Sequence, residues 1–226
     1  MPPNKTPGGP RKVLIVDDHA VFREGLLRIL SQEKDLTVCG EVEDATTALQ
    51  KVAQLKPDLA IIDVSLEGMS GIDLTKQLRS RHPALRILVL SMHKETLHAE
   101  RALRAGAHGY IMKRESGRKL LGAIRHVLQG HTYISEEFSE HMLGNLSPRT
   151  GKKSVSPIER LSDRELEVFR LIGQGYGTRQ MADSLHLSIK TIEFHRESIR
   201  AKLNLKNTFE LVQHAIHWNF YERDSF

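Results

Sequence analysis

The stretch KVLIVDDH, residues 12–19, decides the fold of the amino-terminal part of the chain. Four apolar residues form a run that fits a short strand buried on both faces, and two aspartates follow it directly. Short apolar or β-rich runs of this kind recur along the first half of the sequence. The five runs are Val13–Val16, Leu36–Cys39, Leu59–Ile62, Ile87–Leu90 and Gly109–Met112.

Amphipathic stretches with helical spacing separate the five apolar runs. These stretches cover residues 20–31, 44–55, 71–81, 95–105 and 117–129. Short strands that alternate with helices form a parallel sheet with helices on both of its faces. We therefore predict an α/β domain over residues 11–130, with a doubly wound, five-stranded parallel sheet.

Polar side chains stand where the apolar runs stop. They are Asp17, Asp18, Asp63, Ser91 and Lys113. In an open parallel sheet the carboxyl ends of the strands line the binding crevice, so these five residues are expected to converge. Three crowded carboxylates repel one another unless a cation joins them, and Mg²⁺ prefers such oxygen ligands. We interpret His19, next to the aspartate pair, as a flanking residue and not as a ligand.

Composition restricts the class of protein further. The chain has 226 residues, a charged fraction of 27% and a formal net charge of +5, which fits two modest globular domains. A single cysteine, Cys39, excludes an intrachain disulfide and a multi-cysteine zinc site. The apolar runs are too short to span a membrane, so we expect no membrane partner and a cytoplasmic location. Residues 1–10 are rich in Pro and Gly and are expected to be a disordered tail.

The second half of the sequence has helix starts in place of strand-like alternation. We expect residues 131–156 to be a linker with a possible short helix from Glu136 to Leu143, and residues 157–226 to form a small all-α domain. Ser162 and Glu165 form a capping-box pattern. A helix, the tight turn 186–188 and a longer helix ending near Leu203 give a helix-turn-helix layout.

One face of the longer helix carries the chemistry of this second domain. Ile192, Ile199 and Leu203 form a buried stripe, and Phe194 stands among charged residues on the opposite face. In a DNA major groove, Phe can contact a thymine methyl and Glu can accept from cytosine. The spacing alone leaves open a second interpretation, a solvated charged face with Phe194 packed on a neighbouring helix. Residues 157–226 carry ten basic and ten acidic side chains, and this neutrality slightly favours a protein-interaction module whose helical domain no longer binds DNA.

The motif residues of the first domain resemble those of a response-regulator receiver domain, which implies a flavodoxin-like fold. The resemblance implies that a sensor histidine kinase phosphorylates Asp63 and that Mg²⁺ binds Asp18, Asp63, the carbonyl of Ser65 and, through water, Asp17. It implies that Lys113 contacts the phosphoryl group. It also implies that Ser91 and Tyr110 shift on activation.

Residues 157–222 resemble a LuxR-type helix-turn-helix, and the two domains together resemble the NarL/FixJ type of response regulator. On this basis we expect a set of residues to face double-stranded DNA. They are Thr178, Ser188, Lys190, Thr191, Glu193, Phe194, Arg196, Glu197, Arg200, Lys202 and Lys206. Val212, Ala215 and Ile216 on the last helix are expected to form a dimer surface.

The sequence thus predicts a bacterial transcription regulator that phosphorylation switches, and not an enzyme. Its expected partners are a sensor histidine kinase, double-stranded DNA, a second copy of the chain and RNA polymerase. One alternative is a phosphatase of the haloacid-dehalogenase type, which needs Asp-x-Asp after the first strand, where this chain has Asp17-Asp18-His19. Another is a protein-interaction module whose helical domain no longer binds DNA.

Overall fold

The structure is a computed structural model that describes residues 9–66, 68–92, 95–136, 138–140, 157–185 and 187–224. The chain divides into two compact units, residues 1–148 and 149–226. Most of the expected amino-terminal tail, residues 1–8, lies outside the described residues. None of the helices described in either unit combines the length and the apolar character needed to cross a lipid bilayer.

The first unit has the predicted alternation of strands and helices. Its elements are β1 (Arg11–Val16), α1 (Ala20–Leu30), β2 (Leu36–Val42), α2 (Ala45–Leu55), β3 (Leu59–Asp63), α3 (Gly71–Arg81), β4 (Arg86–Ser91), α4 (Glu95–Arg104), β5 (Gly109–Met112) and α5 (Gly117–Leu128). All neighbouring strands are parallel, in the order β2-β1-β3-β4-β5. The predicted doubly wound, five-stranded fold is confirmed.

The sheet is buried on both faces because its strands are apolar at successive positions. Leu14 and Val16 pack into one core layer, and Val13 and Ile15 pack into the other. All four are fully buried. This continuous burial is what a parallel sheet covered by helices requires of a central strand.

The strand order places the ends of β1 and β3 side by side in the middle of the sheet. Val16 is paired with Ile62, so Asp17 and Asp63 leave adjacent strands at the same edge. Gly71 begins α3 against this edge, and a Cβ there would lie 1.8 Å from the carbonyl oxygen of Asp63. Only glycine allows the helix to begin this close to the end of β3.

Tyr133 and Phe138, in the segment that we expected to be a linker, pack into the first unit instead. Tyr133 pairs with the edge strand β5 at Gly109, and its carbonyl accepts from the backbone N–H of Tyr110. A helix begins at Glu136, and Phe138 is 2% exposed in the core. The unpaired edge of β5 explains the difference, because it offers backbone groups to the next segment. The expected end of that helix at Leu143 lies outside the described residues.

The described residues of the second unit form helices and turns and no strand, as predicted. A 3₁₀ turn at Pro157–Arg160 precedes four helices, which are α6 (Asp163–Gly173), α7 (Thr178–Ser184), α8 (Ile189–Leu203) and α9 (Thr208–Asp224). The capping box predicted at Ser162 and Glu165 begins α6. The predicted stripe on α8 is confirmed at Ile192 and Ile199, which are fully buried.

Helix α9 packs closely on α6, and this contact corrects one part of the expected dimer surface. Ala215 is fully buried, and its carbonyl lies where a Cβ on Gly173 would fall, at 2.2 Å. Phe169 and Trp218 stack across the same contact with ring centroids 5.6 Å apart. Ala215 therefore belongs to the core of this domain and is not on an exposed surface.

Candidate functional site

Three carboxylates meet at the carboxyl edge of the sheet, as the sequence predicts. Asp17 and Asp18 follow β1, and Asp63 is the last residue of β3. One ligand atom from each of these residues and from His19 lies within 4.8 Å of the others. Asp17 and Asp63 are 1% and 2% exposed, so their repulsion is poorly screened by water.

Lys113 supplies the positive charge that faces these carboxylates. Its Nζ lies 2.7 Å from Oδ2 of Asp17 and 2.8 Å from Oδ2 of Asp63. Its backbone N–H donates to the carbonyl of Ser91, which fixes the residue directly after β5. The ammonium group also lies over the ring of Phe22, 4.6 Å from the centroid. Lys113 is therefore positioned to hold two carboxylates of the cluster together.

The electrostatic balance at Asp63 makes the carboxyl a weaker acid than a free aspartic acid. Burial raises the pKa of Asp63 to about 6, the positive charge of Lys113 opposes the shift, and Asp17 adds to it. A divalent cation beside Asp63 would supply the missing positive charge.

The donor set suits such a cation. Among the described residues, Oδ2 of Asp17 and Oδ1 of Asp18 are buried without an aligned hydrogen-bond donor, although Lys113 and His19 lie within ion-pair distance. Carboxylate oxygens with unused lone pairs are ligands that Mg²⁺ accepts. Ser65, the expected carbonyl ligand, is half-buried in the loop after β3.

His19 lies inside this cluster and not beside it, contrary to our interpretation of the sequence. Its Nδ1 is 2.7 Å from Oδ1 of Asp18, 3.4 Å from Oδ1 of Asp17 and 3.7 Å from Oδ2 of Asp63. The only sequence signal was its place directly after the aspartate pair.

Arg23 is a site residue that sequence reasoning missed. It is 8% exposed, and its Nη1 donates to the backbone carbonyl of Asp17 over 2.6 Å. The same guanidinium hydrogen-bonds to Glu43 and lies 3.8 Å from Glu41. From the sequence alone, a buried arginine that contacts the site cannot be distinguished from a solvated arginine in the first turns of an amphipathic helix.

The two residues expected to shift on activation are both in the core. Ser91, the last residue of β4, and Tyr110 in β5 are each fully buried. Val64, directly after Asp63, donates its backbone N–H to the carbonyl of Leu90. Through this bond the backbone at Ser91 is linked to the end of β3.

Helix α8 presents most of the expected DNA-facing residues to solvent. Phe194 is 69% exposed, which contradicts the interpretation that it packs on a neighbouring helix of this domain. Lys190, Glu193 and Glu197 are exposed on the same helix, and Lys206 is exposed just beyond its end. Together these side chains form an open, charged surface with one aromatic ring.

Four of the expected DNA-facing residues make contacts at the ends of helices. Ser188 caps α8 by accepting from the backbone N–H of Thr191, and the two hydroxyl oxygens are 2.8 Å apart. Arg196 donates to Oγ1 of Thr178 over 3.2 Å and so links α8 to the start of α7. These contacts set the orientation of the two helices in the turn.

Lys202 makes an ion pair that the sequence did not suggest. Its Nζ lies 2.6 Å from Oε2 of Glu165, which also accepts from the backbone N–H of Ser162. Lys202 thus ties α8 to the capping box of α6 and is not a free cation. Arg200 pairs with Glu197, at 2.8 Å, within the same helix.

Two family models match the chain, one in each unit. Residues 13–125 match the response regulator receiver domain, and residues 159–215 match the bacterial regulatory proteins of the luxR family. The Oxygen regulatory protein NreC of Staphylococcus carnosus (strain TM300) is 39% identical over 209 residues. The match covers 91% of this chain and 96% of that protein.

Solved structures of the same kind match as well. RcsB from Salmonella enterica serovar Typhimurium, bound to promoter rprA in the presence of phosphomimetic BeF₃⁻, is 28% identical. The TM-score is 0.60, over 92% of this chain and 98% of that one. A structure of two RcsB dimers bound to two parallel DNAs matches with a TM-score of 0.55 and 28% identity, over 91% and 97%.

The fold, the acidic site and the family match define the first unit as a receiver domain. The helical fold and the family match define the second unit as a LuxR-type DNA-binding domain. The chain belongs to the family of two-component response regulators that join these two domains. This assignment replaces the phosphatase alternative, because the first unit matches a receiver domain and the second matches the luxR family.

Proposed function

We propose that the protein is switched by phosphorylation of Asp63 by a sensor histidine kinase. A carboxylate oxygen of Asp63 attacks the phosphorus of the kinase phosphohistidine. The phosphorus–nitrogen bond breaks, the imidazole leaves, and an acyl phosphate forms on Asp63. The observation that carries this proposal is the ion pair of Asp63 with Lys113, inside a cluster of carboxylates that repel one another.

Asp17, Asp18, Asp63 and the carbonyl of Ser65 are the groups that would hold Mg²⁺. When bound, Mg²⁺ offsets the negative charge of the carboxylates and of the arriving phosphoryl oxygens. Lys113 contacts the phosphoryl group with the ammonium that now pairs with Asp17 and Asp63. The chain acts as phosphoryl acceptor and not as an enzyme that turns over a substrate.

Ser91 and Tyr110 carry the signal away from the acceptor. The Ser91 hydroxyl donates a hydrogen bond to a phosphoryl oxygen, and the Tyr110 ring repacks in the core as β4 adjusts. Ser91 is next to Leu90, whose carbonyl accepts a hydrogen bond from the backbone N–H of Val64, directly after Asp63. This contact supports the route.

The switched property is DNA binding through α8. Phe194, Glu193 and Glu197 face base edges, while Lys190, Arg196, Arg200 and Lys206 contribute positive charge near the phosphates. The amino-terminal turn of α8, with Ser188 and Thr191, meets the backbone, because free N–H groups at a helix start favour phosphate. The exposure of Phe194 on this helix supports the assignment.

The active form binds DNA as a dimer through α9. Ile216 is 49% exposed and Val212 is half-buried, and Phe209 and Phe220 add further exposed apolar area on the same helix. Ala215 is left out because it is buried in the domain. RcsB, a similar protein, binds DNA as dimers, and this supports a dimeric arrangement for the present chain.

A gel shift on genomic fragments, with and without acetyl phosphate and across a salt series, tests the proposal. We expect acetyl phosphate to change the affinity, and the affinity to fall steeply with salt because cations are released from DNA. An affinity that is insensitive to both salt and acetyl phosphate would support a protein-interaction module instead.

A further inference from the structure

His19 is held in place by its backbone as well as by its side chain. It is the residue before α1, its N–H donates to Oδ1 of Asp17 over 2.9 Å, and its carbonyl accepts from Phe22 and Arg23. These bonds fix the main chain on both sides of the residue. The imidazole is therefore anchored at the mouth of the acidic cluster, with 58% of its side chain exposed.

The distances from Nδ1 to three different carboxylates match those between neighbouring ligands of a common ion. They are 2.7, 3.4 and 3.7 Å to Asp18, Asp17 and Asp63. Ligand atoms about 2.1 Å from a cation and about 90° apart lie roughly 3 Å from each other. The imidazole makes no hydrogen bond that caps α1, so its contacts with the three carboxylates are not a by-product of helix capping.

We propose that His19 is a fourth side-chain ligand of the divalent cation in this cluster and that it sets which cation the site prefers. The inference rests on the proposed function, since it concerns the same acidic site. Oxygen ligands alone suit both Mg²⁺ and Mn²⁺, whereas an imidazole nitrogen favours a first-row transition metal over the harder Mg²⁺. The chain therefore binds Mn²⁺ in preference to Mg²⁺ by a margin that depends on His19.

Pulsed electron paramagnetic resonance of Mn²⁺ on the full chain provides a direct readout. One equivalent of Mn²⁺ bound to the protein at pH 8 is expected to show the ¹⁴N coupling of a directly bonded imidazole. The coupling disappears in His19→Ala. It persists in His131→Ala, a matched control in which an exposed histidine of the same unit is removed.

Affinity supplies the second readout. Titration calorimetry with Mn²⁺ and with Mg²⁺ is expected to show that His19→Ala lowers the ratio of the Mn²⁺ affinity to the Mg²⁺ affinity by about tenfold or more, because loss of a group that only supports a ligand already costs about 10–100-fold in metal affinity. His131→Ala leaves the ratio unchanged. An equal ratio in wild type and His19→Ala, or ¹⁴N coupling that survives in His19→Ala, overturns the inference.

Failure of the inference can be distinguished from failure of the proposed function. If Mg²⁺ displaces Mn²⁺ and Asp63→Asn weakens both, but no ¹⁴N coupling is seen, the acidic site holds its cation without His19. If neither Mg²⁺ nor Asp63→Asn affects the bound Mn²⁺, the cation does not sit on the carboxylates. That result removes the metal site of the proposed function as well as the inference.

Discussion

Asp63 and Lys113 are 50 residues apart in the sequence and 2.8 Å apart in the fold. Both are almost completely buried, so Asp63 depends on Lys113 for its charge balance, and Lys113 depends on Asp63 and Asp17. A buried charge that loses its partner is costly, which ties the chemistry of the acceptor to the stability of the site. Substitutions that keep the shape of the side chain are therefore the informative ones.

Asp63→Asn is expected to abolish phosphorylation by acetyl phosphate. The amide keeps the shape of the carboxylate but has no nucleophilic oxygen anion, so labelling is lost while the fold remains. Phosphate-affinity electrophoresis measures the yield, and circular dichroism checks the fold. Asp183→Asn, an exposed change on α7, serves as the control and keeps wild-type labelling. Undiminished labelling of the Asp63→Asn protein would remove the acceptor assignment.

Phe194→Ala and Lys190→Ala are expected to separate base recognition from phosphate contact. Loss of Phe194 relaxes the preference at one base position by roughly 1–3 kcal/mol and leaves the salt slope nearly unchanged. Loss of Lys190 weakens binding to all sequences and lowers the salt slope by about one. Binding-site selection and affinities across a salt series measure both effects.

Because Phe194 is 69% exposed, its truncation should leave the thermal unfolding of the domain unchanged. A Phe194→Ala domain that unfolds at a lower temperature but, while folded, keeps the wild-type base preference would mean that another face of α8 meets DNA.

At the scale of elements, the start of α3 determines where Asp63, the proposed acceptor, lies. The backbone N–H of Gly71 donates to the carbonyl of Val64 over 2.8 Å, so the helix closes the loop after β3. There is no space for a side chain between this residue and Asp63. The position of the acceptor therefore depends on a helix–strand contact as well as on its own strand.

Gly71→Ala is expected to lower both stability and the phosphorylation yield. The added methyl forces α3 away from β3, at a cost of about 1–3 kcal/mol. Denaturant unfolding and the rate of labelling by acetyl phosphate measure the two effects. Gly122→Ala in α5 is the matched control, because nothing lies within 4 Å of its Cβ position. The control should stabilise the protein by about 0.5–1 kcal/mol. If Gly71→Ala behaved like Gly122→Ala, the close contact would have no role.

The contact between α6 and α8 is expected to make the second domain acid-sensitive. Burial alone would raise the pKa of Glu165, but hydrogen bonds from Lys202, Ser198 and the backbone of Ser162 lower it to about 2. A carboxylate whose pKa is lowered in the folded state stabilises the fold at any pH above its ordinary pKa of 4.5. This stabilisation is lost as the pH falls from about 4.5 to about 2.

Glu165→Gln removes the charge and tests this pH dependence. At neutral pH the variant should be less stable by about 1–3 kcal/mol, the value of hydrogen bonds to a charged group. The difference from wild type should shrink as the pH falls from about 4.5 towards 2. Trp218, the single tryptophan of the chain, reports unfolding of this domain through its contact with Phe169. A difference that stayed constant with pH would contradict the assignment of the charge.

At the scale of the whole molecule, the proposed dimer would determine how well DNA is read. One recognition helix covers only a few base pairs, and two linked half-sites multiply specificity and affinity. The exposed apolar residues of α9 are available for this purpose, unlike Ala215.

Ile216→Asp is expected to weaken DNA binding about tenfold or more without affecting phosphorylation of Asp63, since it removes only the gain from the second half-site. Gel shifts and sedimentation on DNA measure affinity and stoichiometry. Gln174→Asp adds the same charge at an exposed position outside α9 and should have little effect. One wild-type protomer per DNA site at saturation would contradict the dimer.

The sequence alone determined the features that depend on local pattern. Apolar runs, helical spacing and the capping box at Ser162 each lie within a few residues, so they predict strands, helices and helix starts without knowledge of the rest of the chain. The convergence of Asp17, Asp63 and Lys113 could also be predicted, because parallel strands place their carboxyl ends at one edge.

Only the tertiary structure decided which partners the ambiguous residues take. The place of His19 among the carboxylates, the burial of Arg23 and of Ala215, and the pairing of Lys202 with Glu165 depend on side chains from separate elements. The last pair is 37 residues apart in the sequence. A helix pattern shows which face is apolar, but not which turn of a neighbouring helix lies against it. For this reason the sequence pattern predicts a surface position for Ala215, whereas packing of α9 on α6 buries it in the core.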